Sequence, residues 1–197
     1  MKQRLSILVL FTLVSALALA ACGGGGGDGP PVEMQSFGGS SFELSYPKDW
    51  KESKIDMFGL SMVILGRQEF NMANLEGLNF DSLAAKDPLV LIMSVPKEMA
   101  GDMGFEDIDS ALDEFDGAIG QGDVEVLEQG DTTLGDAKGK LIVAKGTDPD
   151  MGDVGMRLVA AQRSDGGAVV FMGVTPAENR DQNLAIFEYM HNSFKFN

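Results

Sequence analysis

The chain has 197 residues, 30 of them acidic and 15 basic, for a formal charge of −15. That sign excludes nucleic acid as a partner and disfavours adsorption onto anionic lipid. One cysteine and one histidine exclude Cys–His nucleophilic catalysis and any zinc site rich in those residues.

The chain opens with signal-peptide anatomy. Lys2 and Arg4 form a positive n-region, and Leu5 to Leu19 is almost wholly apolar. The run from Leu5 to Ala21 is 17 residues, short of the roughly 20 that a spanning helix needs. It ends in Leu19-Ala20-Ala21-Cys22, which resembles the lipobox of bacterial lipoproteins. The resemblance implies recognition of Leu19, Ala20 and Ala21 by a signal peptidase. It also implies lipidation of Cys22 by a diacylglyceryl thioether, and cleavage that makes Cys22 the new N-terminus. A plain secretory signal cut after an alanine is the alternative. Lipidation accounts for a thiol with no disulfide partner in its own chain, and two acyl chains suffice for stable attachment.

Five glycines follow Cys22, then Asp28-Gly29-Pro30-Pro31, a composition with nothing to fold around. Val32 to Ser41 stays low in apolar periodicity. The expected division is therefore a signal peptide over 1–21, a tether over 22–41 and one domain over 42–197. Removing the leader's two basic residues leaves 13 basic and 30 acidic ones, a mature charge of −17.

Within the domain, Phe42, Leu44 and Tyr46 alternate with Glu43 and Ser45, the pattern of a half-buried strand. Pro47-Lys48-Asp49 suits a turn, and Trp50 can cover one end of a core. Gly59–Leu65 and Leu89–Val95 read as strands ended by Gly66 and Pro96. Phe105, Ile108, Leu112, Phe115 and Ile119 make one apolar stripe at helical spacing. A meander follows: Val124–Leu127, then Lys138–Lys145, whose apolar middle suggests a central place in the sheet, then Val154–Gln162 and Ala168–Val174. Asp165-Gly166 signals a tight hairpin between the last two. Thr175, Pro176 and Glu178 read as N-cap, first residue and capping-box acid of a final helix. Leu184, Phe187, Met190 and Phe194 line its inner side, and Phe194 and Phe196 form a closing alternating pair. The order of elements predicts an α+β domain, an antiparallel β-sheet flanked by helices.

The two ends of this domain carry a resemblance. Phe42-Glu43-Leu44-Ser45-Tyr46-Pro47-Lys48-Asp49-Trp50 looks like the opening of PsbP-like domains, a strand running into Tyr-Pro-x-x-Trp. Met190-His191-Asn192-Ser193-Phe194 is similar to that family's closing helix. The resemblance implies an α/β/α sandwich and no catalytic residue. His191 stands where the family usually has an aliphatic residue, which implies shallower packing at that point.

Chemistry-bearing clusters are acidic. Twelve acids and no base lie between Glu98 and Asp131. On the expected helix, Glu106, Asp109, Asp113, Glu114 and Asp116 fall off the apolar stripe, a solvated face or else a face for a cationic partner or weakly held calcium. Asp148, Asp150 and Asp153 begin like a calcium loop, but Gly152 is misplaced and the closing Glu is absent. They read as a hairpin with at most weak calcium affinity. The paired methionines Met57 with Met62 and Met99 with Met103 raise copper(I), but without a tight Met-x-x-Met run adaptable core filling is the better account.

The functional expectation is a non-enzymatic binding or assembly-accessory module. It would be lipid-anchored on the extracytoplasmic side of the cell membrane or outer membrane, with a protein partner and no required cofactor. The alternatives are a calcium- or cation-binding domain and, less favoured, a carboxylate-based hydrolase.

Overall fold

A computed structural model describes residues 30–57, 59–70, 86–105, 108, 124–148 and 152–197. The compact unit begins at Pro31 and runs to Asn197. The expected leader, Cys22 and most of the acidic helix (Glu106, Asp109, Asp113, Glu114 and Asp116) lie outside the described residues, as does Asp150.

Among the described residues, ten strands form two antiparallel sheets. The smaller has the order β1-β2-β10, with β1 at Met34–Gly38, β2 at Phe42–Pro47 and β10 at Lys195–Phe196. The larger has seven strands in the order β3-β4-β5-β9-β8-β7-β6. These are β3 Lys51–Met57, β4 Leu60–Gly66, β5 Leu89–Val95, β6 Val124–Leu134, β7 Ala137–Asp148, β8 Gly152–Gln162 and β9 Ala168–Pro176. Two helices are fully described, the short α1 at Lys97–Ala100 and α2 at Arg180–Asn192.

Side chains alternate across a strand, so each strand serves two faces. One face of the large sheet gives Val63, Leu65, Val90, Ile92, Val143, Val159 and Phe171 to a single core. That core is completed by Phe42, Leu44 and Trp50 and by Phe187 and Met190 of α2. Trp50 meets Phe187 edge-on with ring centroids 6.4 Å apart, and Phe42 stacks on Phe194 at 4.9 Å. The opposite face is smaller-grained. Ile142, Ala144, Leu158 and Ala160 pack with Ala100 and Ile108, and Met93, Met99, Met156 and Met172 fill in around them, partly buried.

The described residues are thus richer in strand than the expected α/β/α sandwich: α2 shares its side of the large sheet with a second, three-stranded sheet. Five further expectations change. Val32–Ser41 contains β1, because Phe37 is buried in the main core and β1 pairs with β2 from Met34↔Pro47 to Gly38↔Glu43. Lys138–Lys145 is not central. It lies in β7, one place in from the edge, and is apolar on both sides because both faces are covered there. Thr175 and Pro176 do not start the last helix. They pair with Gly155 and Val154 as the end of β9, and Asn179, with φ +59°, precedes α2. The Thr175 hydroxyl instead accepts from Asn183 Nδ2 at 2.7 Å, and Glu178 lies exposed in the turn. Phe194 is buried but lies two residues past the helix end. Finally, His191 is only 3% exposed, so the helix packs deeply there. Among the described residues no helix is long and apolar enough to cross a membrane.

Candidate functional site

Two turns meet at one end of the large sheet. The β6–β7 connection is Gly135-Asp136, where Gly135 takes φ +61°, a conformation favourable only to residues like glycine. The β8–β9 connection runs from Arg163 to Gly167, with Gly166 at φ +87°. Its backbone closes through Arg163 N–H to Gly167 O at 2.8 Å and Gly166 N–H to Arg163 O at 3.0 Å. β7 and β8 hold the turns side by side, Lys138 lying directly across from Gln162.

That cross-strand pair separates two hollows. The larger, about 570 Å³, is lined by Asp136, Lys138, Arg163, Asp165, Phe196 and Asn197 among others. The other, about 470 Å³, adds Ile108, Asp131, Thr132 and Lys140. The two hollows adjoin at Lys138 and Gln162 as a two-lobed cleft, and each lobe falls within the size range of ligand sites.

Its side chains are held by one another. Arg163 donates from Nη2 to Asp165 Oδ2 at 2.6 Å and from Nη1 to Ser94 Oγ at 3.1 Å, and its guanidinium lies 5.6 Å from the Phe196 ring centroid. Asp165 Oδ1 also accepts the Gly167 N–H at 3.0 Å. Lys140 pairs with Asp131 at 2.7 Å, and this lysine holds the Asp131 carboxyl below its usual range. Among the described residues, Lys138 and Asp136 have no ion-pair partner. Among the described residues, three cations and three carboxylates line the cleft, and one of each sign has no ion-pair partner. Such a surface can hold a polar partner bearing both charges, with Phe196 as an apolar contact.

Behind the cleft lies a buried polar couple. Arg157 projects from β8 into the α2 side of the sheet and is 6% exposed. Its Nη2 is 3.3 Å from His191 Nδ1, and His191 Nε2 is 2.7 Å from the carbonyl oxygen of Thr133 on β6. A carbonyl only accepts, so Nε2 carries the proton and Nδ1 accepts from the guanidinium. Burial, with a further push from Arg157, holds His191 below the usual imidazole range against the opposing pull of the Thr133 carbonyl, Glu188 and Glu128. Burial also pulls Arg157 down, while Glu188 and Glu128 oppose it. Among the described residues, the Arg157 Nε has no hydrogen-bond partner.

The two described acids of the expected calcium loop fall elsewhere. Asp148 and Asp153 lie in the β7–β8 hairpin, where Asp148 pairs with Gly152 and Thr147 with Asp153. The Asp153 carboxylate accepts from Thr147 Oγ1 at 2.6 Å, which occupies one oxygen of the expected calcium loop. None of these residues lines the cleft. Sequence reasoning missed the cleft although two signals were present. Gly135-Asp136 between two strands is a two-residue hairpin signature. Lys138 and Lys140 are two apart on β7, hence on one face.

No family model matches the chain, and no curated protein matches it. Among solved structures it is similar to the solution structure of cyanobacterial PsbP (CyanoP) from Synechocystis sp. PCC 6803, at 16% identity and TM-score 0.46, over 89% of this chain and 98% of that one. LpqN, involved in cell envelope biogenesis of Mycobacterium tuberculosis, is 9% identical with TM-score 0.49, over 83% and 91% of the two chains. The protein of unknown function PA94 from Pseudomonas aeruginosa is 13% identical with TM-score 0.43, over 79% and 92%.

Proposed function

We propose that this protein is a lipid-anchored, extracytoplasmic binding module that engages a polypeptide partner through the cleft at the β6–β7 and β8–β9 turns and catalyses no reaction. The observation that carries the anchored reading is the position of Cys22, at the end of Leu19-Ala20-Ala21 and only nine residues before the compact unit begins at Pro31. A random coil of nine residues has a root-mean-square reach of roughly 15–18 Å, beyond a Debye length of about 8 Å, which suits an acidic domain tethered beside anionic head groups. A mature charge of −17 steers cationic partners toward it, and the balanced charges of the cleft supply register once they arrive.

The non-catalytic reading is supported by the occupation of the usual catalytic groups. The one histidine has both ring nitrogens engaged inside the protein, and lipidation would consume the one thiol.

A photo-crosslinking side chain at position 138, introduced into the full chain in cells, tests both halves. The expected result is a discrete crosslinked partner at position 138 and none at position 51, on the far edge of the large sheet. Cys22→Ser should release the protein from the membrane fraction and weaken the crosslink. Retention of C22S in that fraction with its leader removed would refute the anchor. A bare protein at position 138 in repeated trials would refute the cleft.

A further inference from the structure

We propose that the buried Arg157–His191 contact is an acid-sensitive latch that fastens the last turns of α2, and with them β10, to the large sheet. The argument begins with which groups face His191. Arg157 approaches from β8 and the Thr133 carbonyl from β6, while the Phe171 ring of β9 lies 6.3 Å from the imidazole. The charged groups that act on it are Arg157, Glu128 of β6 and Glu188 of α2 itself, and no others on β2, β7 or β9 do so.

In the neutral ring, Nδ1 offers a lone pair to the guanidinium. A proton on Nδ1 removes that acceptor and sets a second cation against Arg157 in a site that water does not reach. The Thr133 bond survives, since Nε2 already donates, so the strain falls on the helix–β8 contact. Glu128 and Glu188 soften the repulsion but make no hydrogen bond to the ring among the described residues.

The sign follows from burial. His191 is held below the ordinary imidazole value of about 6.5. The unfolded or detached state therefore binds the proton more readily than the packed one. The latch is fully closed above about pH 6.5 and weakens as pH falls below it. The opening constant should rise by up to about tenfold per pH unit, the slope of one proton, until the packed ring itself titrates.

The latch joins elements that carry residues of the cleft. Thr133 is the cross-strand partner of Lys138. Ser193 bonds β2 through Ser45 N–H to its Oγ at 2.9 Å, and Phe196 and Asn197 line the larger hollow. Loosening α2 would shift the Phe196 wall relative to Lys138. This consequence for binding rests on the cleft reading above; the latch itself does not.

The chain has one histidine, so its imidazole nitrogen signals in an NMR titration of the full mature protein are unambiguous. The expected result is the Nε2-protonated tautomer at pH 7.5 and a midpoint below 6.5. Amide protection in α2, corrected for intrinsic exchange, should fall from pH 7 to 5, by no more than about tenfold per pH unit, while β4 and β5 hold. His191→Gln keeps a donor and an acceptor but does not titrate, and should flatten that response. Arg157→Gln should raise the midpoint and shrink the response, a second readout if H191Q does not fold. A midpoint at 6.5 or above, or α2 protection unchanged by acid in the wild type, would overturn the latch. So would an equal acid response in the folded variants. Loss of the position-138 crosslink under all conditions, with the titration as expected, would strike only the cleft.

Discussion

Along β9, Val169, Phe171 and Gly173 turn toward α2, while Ala168, Val170 and Met172 turn the other way. The first set meets large rings at close quarters: a Cβ placed on Gly173 would lie 2.6 Å from the Phe187 ring. The second set meets small and flexible side chains, and Met93, Met156, Val170 and Met172 stay partly exposed. The same strands thus build a tightly fitted face and a softer one. The fitted face also holds the buried polar couple, because there α2 brings an acceptor to Arg157. Shape-specific rings fix the position of α2, whereas thioether chains adapt to what lies beside them.

Substitutions in the two faces should separate them, measured as shifts in denaturant midpoint. Phe187→Ala, at a side chain with 0% exposure, is expected to cost about 3–5 kcal/mol. Gly173→Ala should cost about 1–3 kcal/mol, since the ring it would strike cannot swing aside in a filled core. Met172→Ala, on the softer face and half-buried, should cost about 1 kcal/mol. Equal losses at Phe187 and Met172 would erase the distinction. The finest probe is limited peroxide oxidation followed by mass spectrometry. Among the described methionines, Met57 and Met103, 45% and 38% exposed, should convert first and Met190, at 0%, last. Early loss of Met190 would mean that α2 opens readily at neutral pH.

Several elements were legible in the residues because the information was local. Phe42-Glu43-Leu44-Ser45-Tyr46 alternates and is β2, Leu89–Val95 is β5 to the residue, and Asp165-Gly166 sits in the β8–β9 turn. Other readings failed where partners lie far along the chain. β3 is Lys-Glu-Ser-Lys-Ile-Asp-Met, a polar stretch made into an edge strand by pairing with β4 from Lys51↔Gly66 to Met57↔Leu60. The Thr175-Pro176-x-Glu178 signature met the local rule for a helix start, but β8 reached far enough to pair Thr175 and Pro176 first. Arg157 could be seen as a cation amid Met156, Leu158 and Val159. Its burial depended on a histidine 34 residues away.

By itself, the sequence determined the acidic charge, the apolar run that precedes Cys22, and most of the described strand positions, because composition, side-chain alternation and turn chemistry act over a few residues. The tertiary structure alone decided which turns meet to form the cleft, which strands lie at the edges, and that the one histidine receives a hydrogen bond from a buried arginine. Those outcomes depend on pairing between distant segments, where a residue's environment is set by whatever the fold brings against it.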